Sequence, residues 1–223
     1  NTNYDITFTN GALTIGTKAL TITADDKSKT YGEANPALTF SVAEDLTGLA
    51  AVSGSVATTA TATTNVGSVA ITQGTVTNAN NTNYDITFTN GALTIGTKTL
   101  TATASASNKV YDGNTTASAT LTFSGLVGSE TLGQTVGATF ADQNVDTGIV
   151  VTVNSITLSD GDNGGLATNY TISTGQTTTA DITAKTLTAT ASASNKVYDG
   201  TTTAAATLTF SGLVGSETLG QTV

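Results

Sequence analysis

The sequence has no cysteine, histidine, methionine or tryptophan, and all seven of its basic residues are lysine. Without cysteine there is neither a disulfide nor a thiol nucleophile, and without histidine the commonest acid–base group and metal ligand is missing. Ser-His-Asp and Cys-His catalytic sets are therefore impossible, and no phosphate loop of the GxxxxGK[ST] kind occurs. The paired carboxylates at Asp25-Asp26 and Glu44-Asp45 read as surface charges, so no enzyme is expected. Sixteen carboxylates against seven lysines give a net charge of −9, a poor match for nucleic acid or an acidic membrane surface. No apolar run reaches transmembrane length, so no membrane insertion is expected either. The lack of cysteine would suit a long chain that is exported unfolded, with nothing to cross-link on the way.

What fills the chain instead is threonine, at roughly a quarter of all residues, with alanine, glycine, serine and asparagine behind it. Threonine is β-branched and fits a half-exposed pleated strand. Charge is low at 10%, which argues against a solvated disordered tail. Two stretches occur twice, letter for letter. NTNYDITFTNGALTIGTK covers residues 1–18 and 81–98, and TLTATASASNKVYDG covers residues 99–113 and 186–200. The offsets, 80 and 87 residues, are domain-sized and point to an array of beads rather than a solenoid.

Tyr84, Ile86 and Phe88 alternate with polar residues, the period of a half-buried strand. Asn90-Gly91 comes next, the favoured pair for a type I′ turn, and predicts a hairpin that opposes Phe88 to Leu93 and Ile86 to Ile95. Further strands are predicted at 20–24, 37–42, 56–60 and 68–73, with a helical turn within 44–51. The second unit predicts strands at 100–104, 117–123, 136–142, 149–153, 155–158, 169–173 and 180–184. At the junction Ile95 and Leu100 are an odd interval apart and no Pro-rich or Gly/Ser-rich spacer intervenes, so the modules should abut without slack. The expected fold is all-β: tandem small antiparallel β-sandwiches, Ig-like, stacked end to end in a rod.

The two repeat types also correspond to each other. Leu20, Leu100 and Leu187 each precede a tyrosine by eleven residues (Tyr31, Tyr111, Tyr198), and a lysine stands two before each tyrosine. A Leu-Thr-Phe comes later at 38–40, 121–123 and 208–210, and Asn83-Tyr84 matches Asn169-Tyr170. One fold with two loop dressings is the economical explanation.

KTYGEANPALTF at 29–40, with NYDITFTNGALTI at 83–95, resembles the MBG domain of the YGX type. KVYDGNTTA at 109–117, succeeded by GATFADQNV and ATNYTIS, resembles the YDG domain. The resemblance covers the whole chain: the end of a preceding MBG repeat (1–18), an MBG unit (19–98), a YDG unit (99–185) and the start of a further YDG repeat (186–223). It implies a secreted or bacterial cell-surface location, in adhesins of the hemagglutinin-like and two-partner-secreted kinds, and no catalytic residue set. The implied role is that of stalk or fibre repeats, whose partners are neighbouring repeats of the same long chain or fibre. The alternative is multivalent binding of glycan or exopolysaccharide in a biofilm matrix, with weak sites multiplied by repetition.

Three groups of residues are candidates for more than packing. Tyr31, Tyr111 and Tyr198 either stack on sugar rings or pack at a domain end with the hydroxyl bonded to backbone. Asp160, Asp162 and Asn163 in DGDNGG resemble the opening of an oxygen-rich calcium loop, or form a plain Asn/Asp/Gly turn; no other cofactor is expected. The lysines either guard sheet edges or enter Lys–Asn cross-links.

Overall fold

The structure is a computed structural model that describes residues 2–220; Asn1 and 221–223, the outermost residues of the two expected terminal fragments, lie outside the described residues. It divides into two units, residues 1–98 and 99–223. Both are all-β, and among the described residues there is no α-helix.

The first unit contains β1 (Lys18–Ala24), β2 (Lys27–Thr30), β3 (Phe40–Val42), β4 (Ala57–Thr58), β5 (Gly67–Thr72), β6 (Tyr84–Thr89) and β7 (Gly91–Gly96). They form a three-stranded sheet in the order β3-β1-β6 and a four-stranded sheet in the order β2-β7-β5-β4. Period-two alternation sends Leu20, Ile22 and Ala24 of β1 inward, where they are buried along with Ile71, Leu93 and Ile95 of the other sheet. Each such aliphatic side chain contributes about 1.5–3 kcal/mol by leaving water. Residues 44–51 form turns rather than a helical turn, with Gly48 at φ 76° and the Leu49 N–H bonded to Leu46 O at 2.9 Å.

The expected hairpin at Asn90-Gly91 does not form. β6 lies parallel to β1, with Leu20 opposite Ile86 and Ile22 opposite Phe88. β7 crosses to the other sheet, antiparallel to β5 and parallel to β2. Neither Asn90 nor Gly91 has the positive φ of a type I′ turn. Gly91 is needed for a different reason: a Cβ there would stand 2.6 Å from the carbonyl oxygen of Ala24. The alternating pattern was right for both strands, because either arrangement buries one face of each. The sheets are consequently mixed rather than purely antiparallel.

The second unit repeats the plan. Its strands are β8 (Lys98–Ala106), β9 (Lys109–Val110), β10 (Thr116–Ala117), β11 (Ala119–Ser124), β12 (Leu132–Phe140), β13 (Asp146–Asp160), β14 (Tyr170–Ile172) and β15 (Thr177–Thr183). The order β11-β8-β14 corresponds to β3-β1-β6, and β10-β12-β13-β15-β9 corresponds to the four-stranded sheet with an edge strand added. The parallel pair β2–β7 has its counterpart in β9–β15. Leu121 and Ala104 from one sheet pack with Phe140, Val151, Val153 and Ile182 from the other.

β13 spans both of the strands expected at 149–153 and 155–158. A bulge between Gly137 and Ala138 on the partner register, which opposes Gly137 to Ser155 but Ala138 to Val153, leaves Asn154 as the extra residue. The inward parity therefore changes from Ile149, Val151 and Val153 to Ile156 and Leu158, so one strand reads as two. After it, β16 (Thr188–Ala193) and β17 (Ala206–Ser211) pair antiparallel, as β8 and β11 do.

Candidate functional site

The recurring Lys-x-Tyr motif begins at the short strand that enters each four-stranded-type sheet. In the first unit the Tyr31 N–H donates to Gly96 O at 2.9 Å, which seats the ring in the core at 1% exposure. In the second, the Tyr111 N–H donates to Thr183 O at 2.8 Å, but the ring is half-buried and its hydroxyl donates to the carboxylate of Glu217. That acceptor holds the Tyr111 hydroxyl above its ordinary pKa, because a nearby anion and its hydrogen bond favour the protonated phenol. Tyr198, in the third copy, is 94% exposed. The same residue type in the same motif thus occupies three environments.

The lysine of the motif is a feature whose role sequence reasoning missed. Lys109 Nζ donates to Asp112 Oδ1 (2.7 Å), Asn114 O (2.6 Å), Asn114 Oδ1 (3.2 Å) and Thr116 O (3.2 Å). Lys196 repeats this with Asp199 (2.9 Å), Thr201 O (2.9 Å) and Thr203 O (2.7 Å). Lys29 is buried, and donates to Glu33 O (3.1 Å) and Thr61 O (2.5 Å). An ammonium has three donors and no acceptor, so it gathers carbonyls that would otherwise point at one another. The Lys109 ammonium also lies 5.4 Å from the centroid of the Phe140 ring. Lys109 and Lys196 thus staple the loop that comes after their own tyrosine, and Lys29 ties Glu33 of that loop to Thr61. The bonds to Lys109 and Lys196 hold the Asp112 and Asp199 carboxyls below the usual aspartate range. The signal was present in the sequence as a lysine two before each tyrosine with turn residues behind it.

The DGDNGG loop is closed largely by its own backbone. Gly161 N–H donates to Gly165 O and Gly165 N–H to Asp162 O, while Asn163 adopts φ 57°. The Asp160 carboxylate accepts from Ala167 N–H at 2.8 Å, and the Asn163 amide donates to Ser129 O at 3.0 Å. Asp160, Asp162 and Asn163 share this loop, yet two of their side chains point to protein partners. Among the described residues no three His, Cys, Asp or Glu side chains gather as a metal site.

A buried polar cluster supports the second unit at the start of β14. The Tyr170 hydroxyl donates to the Glu130 carboxylate and accepts from Val127 N–H at 3.0 Å. Burial, and then the bond to Glu130, push its pKa up to about 12.

Family comparison finds two models along the chain. Residues 20–94 match the model of the MBG domain (YGX type), and residues 96–180 match that of the YDG domain. The chain thus carries an MBG domain and a YDG domain in tandem. No curated protein and no solved structure gives a match. MBG and YDG domains are found in adhesin-like surface proteins. Among the described residues, no helix of the MBG or YDG unit is long and apolar enough to cross a membrane.

Proposed function

We propose that the chain is a stretch of the stalk of an extracellular bacterial adhesin, whose β domains space a distal adhesive region from the cell or form a filament shaft. The observation that carries this reading is the shortness of the joint: Thr97 alone lies between the last strand of the MBG domain and the first strand of the YDG domain. A linker of one residue has no flexible-coil regime. The reading needs no catalytic group and no cofactor, and its partners are neighbouring repeats of the same chain. Burial of Tyr31 also weighs against a sugar-stacking platform repeated in every domain, the basis of the glycan-binding alternative. Electron micrographs of a protein with many such repeats should show extended, narrow particles of uniform width. Freely jointed coils in those images, or retention of the wild-type chain on polysaccharide, would favour multivalent glycan capture. Calcium enters only at Asp160, Asp162 and Asn163, and a melting temperature that falls with chelator and recovers with calcium would establish it.

A further inference from the structure

The YDG unit and the repeat after it meet through a short, specific set of residues. The Tyr111 hydroxyl donates to Glu217, which lies 106 residues further along the chain. Gly113, at φ 76°, leaves space that a side chain would fill: a Cβ there would stand 2.9 Å from Cγ1 of Val214. Around them lies a mainly apolar cleft of about 210 Å³, lined by Leu187, Leu213 and Leu219 among others. Tyrosine and glycine of the Tyr-Asp-Gly triplet therefore face the next repeat, while Asp112 is turned back to Lys109.

The segment that meets them is a preformed loop. Gly-Leu-Val-Gly-Ser-Glu occurs at 125–130 and again at 212–217. In both copies the glutamate N–H closes a turn onto the valine carbonyl at 3.2 Å, and the second glycine is left-handed, at φ 59° and 58°. The loop keeps this shape within a finished repeat and within residues 186–220 alike. Its glutamate can serve two partners, since a carboxylate accepts on both oxygens. Glu130 already takes Tyr170 of its own repeat, and Glu217 takes Tyr111 of the repeat before.

We propose that the Tyr-Asp-Gly triplet is the socket of a repeat-to-repeat joint, and that the Gly-Leu-Val-Gly-Ser-Glu loop of the next YDG repeat fills it. Tyr111 and Gly113 are the occupied socket. Asp199 and Lys196 hold Tyr198 and Gly200 in a second one, with Tyr198 open to solvent, and its partner is a further repeat that carries the same loop. The lysine staple keeps the triplet in shape before the loop arrives. The joint goes beyond the stalk reading, because it stands wherever one YDG repeat succeeds another.

Amide hydrogen exchange on the full chain tests it. Tyr111→Phe removes only the hydroxyl, and Val214→Asp places a charge in the apolar cleft from the other side. Each should speed exchange of residues 212–219 by about three- to tenfold, the usual scale for one lost hydrogen bond or contact, and leave residues 149–183 protected. Tyr111→Phe combined with Glu217→Gln should be no faster there than either alone, since both remove one interaction. Unchanged exchange of 212–219 in both Tyr111→Phe and Val214→Asp overturns the joint. If Tyr111→Phe also loosens 149–183, Val214→Asp, which lies outside that core, decides alone. Coiled particles in micrographs would sink the stalk and not this joint, so the two failures are distinguishable.

Discussion

Residues 81–98 and residues 1–18 are one eighteen-residue sequence in two conditions. In the first position it forms β6 and β7, with Tyr84 at 5% and Leu93 at 0% exposure. In the second, residues 4–17 form no strand, and Tyr4 and Leu13 stand at 73% and 87%. Propensity, alternation and turn residues are the same in both, so none of them suffices. What differs among the described residues is that β1, β2 and β5 lie alongside β6 and β7, whereas no strand lies alongside residues 4–17. The other duplicated stretch behaves differently. Residues 186–200 keep the strand, the pairing with β17 and the lysine staple, although β16 is exposed along its whole length. Its partners lie within about twenty residues on the same chain, where loop closure is cheap, whereas β6 must find β1 more than sixty residues away.

The largest expected effect uses the duplicated sequence as its own control. Leu93→Ala should cost about 2–5 kcal/mol in the unfolding of residues 18–96, the range for a large-to-small change in a filled core. In the 223-residue chain, where Leu13 is exposed, Leu13→Ala, the same change in the same local sequence, should stay within about 0.5 kcal/mol. Denaturant unfolding compares them. Equal effects would mean that residues 4–17 bury their apolar face as residues 84–96 do, and the contrast would collapse.

Gly91→Ala against Gly11→Ala sharpens the same point at the backbone. An added Cβ at Gly91 meets the Ala24 carbonyl, and the strand must shift, at about 1–3 kcal/mol. At Gly11 nothing stands within 4 Å, so no loss of stability is expected. A neutral Gly91→Ala would mean that the Ala24 carbonyl does not crowd this position, and the backbone half of the contrast would be lost.

That hairpin marks where the sequence stopped being informative. Burial faces and the positions of β1, β5, β6 and β7 were legible because alternation reports which side faces inward. Alternation does not report which strand lies alongside, so Ile86 and Ile95 fitted one hairpin and two separate sheets equally well. The entering strands β2 and β9 were invisible for a related reason. They are only four and two residues long, they carry lysines, and their parallel partners β7 and β15 lie far along the chain. At the candidate site the tyrosines were visible, but not that Tyr31 is buried in its own unit, that Tyr111 meets Glu217 and that Tyr198 is exposed. The lysines were visible too, and their carbonyl partners were not, since a backbone acceptor leaves no trace in residue identity.

Lys109→Met and Lys196→Met turn the second duplication into a test of local against long-range order. In the finished repeat, loss of the ammonium leaves the Asn114 and Thr116 carbonyls beside β10, and about 1 kcal/mol of stability should go, the usual net worth of a protein hydrogen bond. Lys196→Met should leave the melting of residues 99–183 unchanged and speed proteolysis only within 196–205. If Lys196→Met weakens the finished repeat as much as Lys109→Met does, the staple is not local.

An effect confined to alkaline pH separates the YDG repeat of residues 99–183 from residues 186–220 through its glutamate. Glu130 accepts from Tyr170 inside its own repeat, where burial raises the phenol from 10.0 to about 12. A folded pKa above the unfolded value means that the protonated hydroxyl stabilises the native state. That contribution is complete below pH 10.0 and drains away as pH climbs toward about 12. Urea midpoints of the second unit should therefore fall across that interval. Tyr170→Phe should be less stable at neutral pH, by loss of the bond to Glu130, and should show a flatter alkaline decline. An equally steep decline in Tyr170→Phe would assign the alkaline loss to another group, and would leave Glu130 with no larger part in the finished repeat than Glu217 has in the open one.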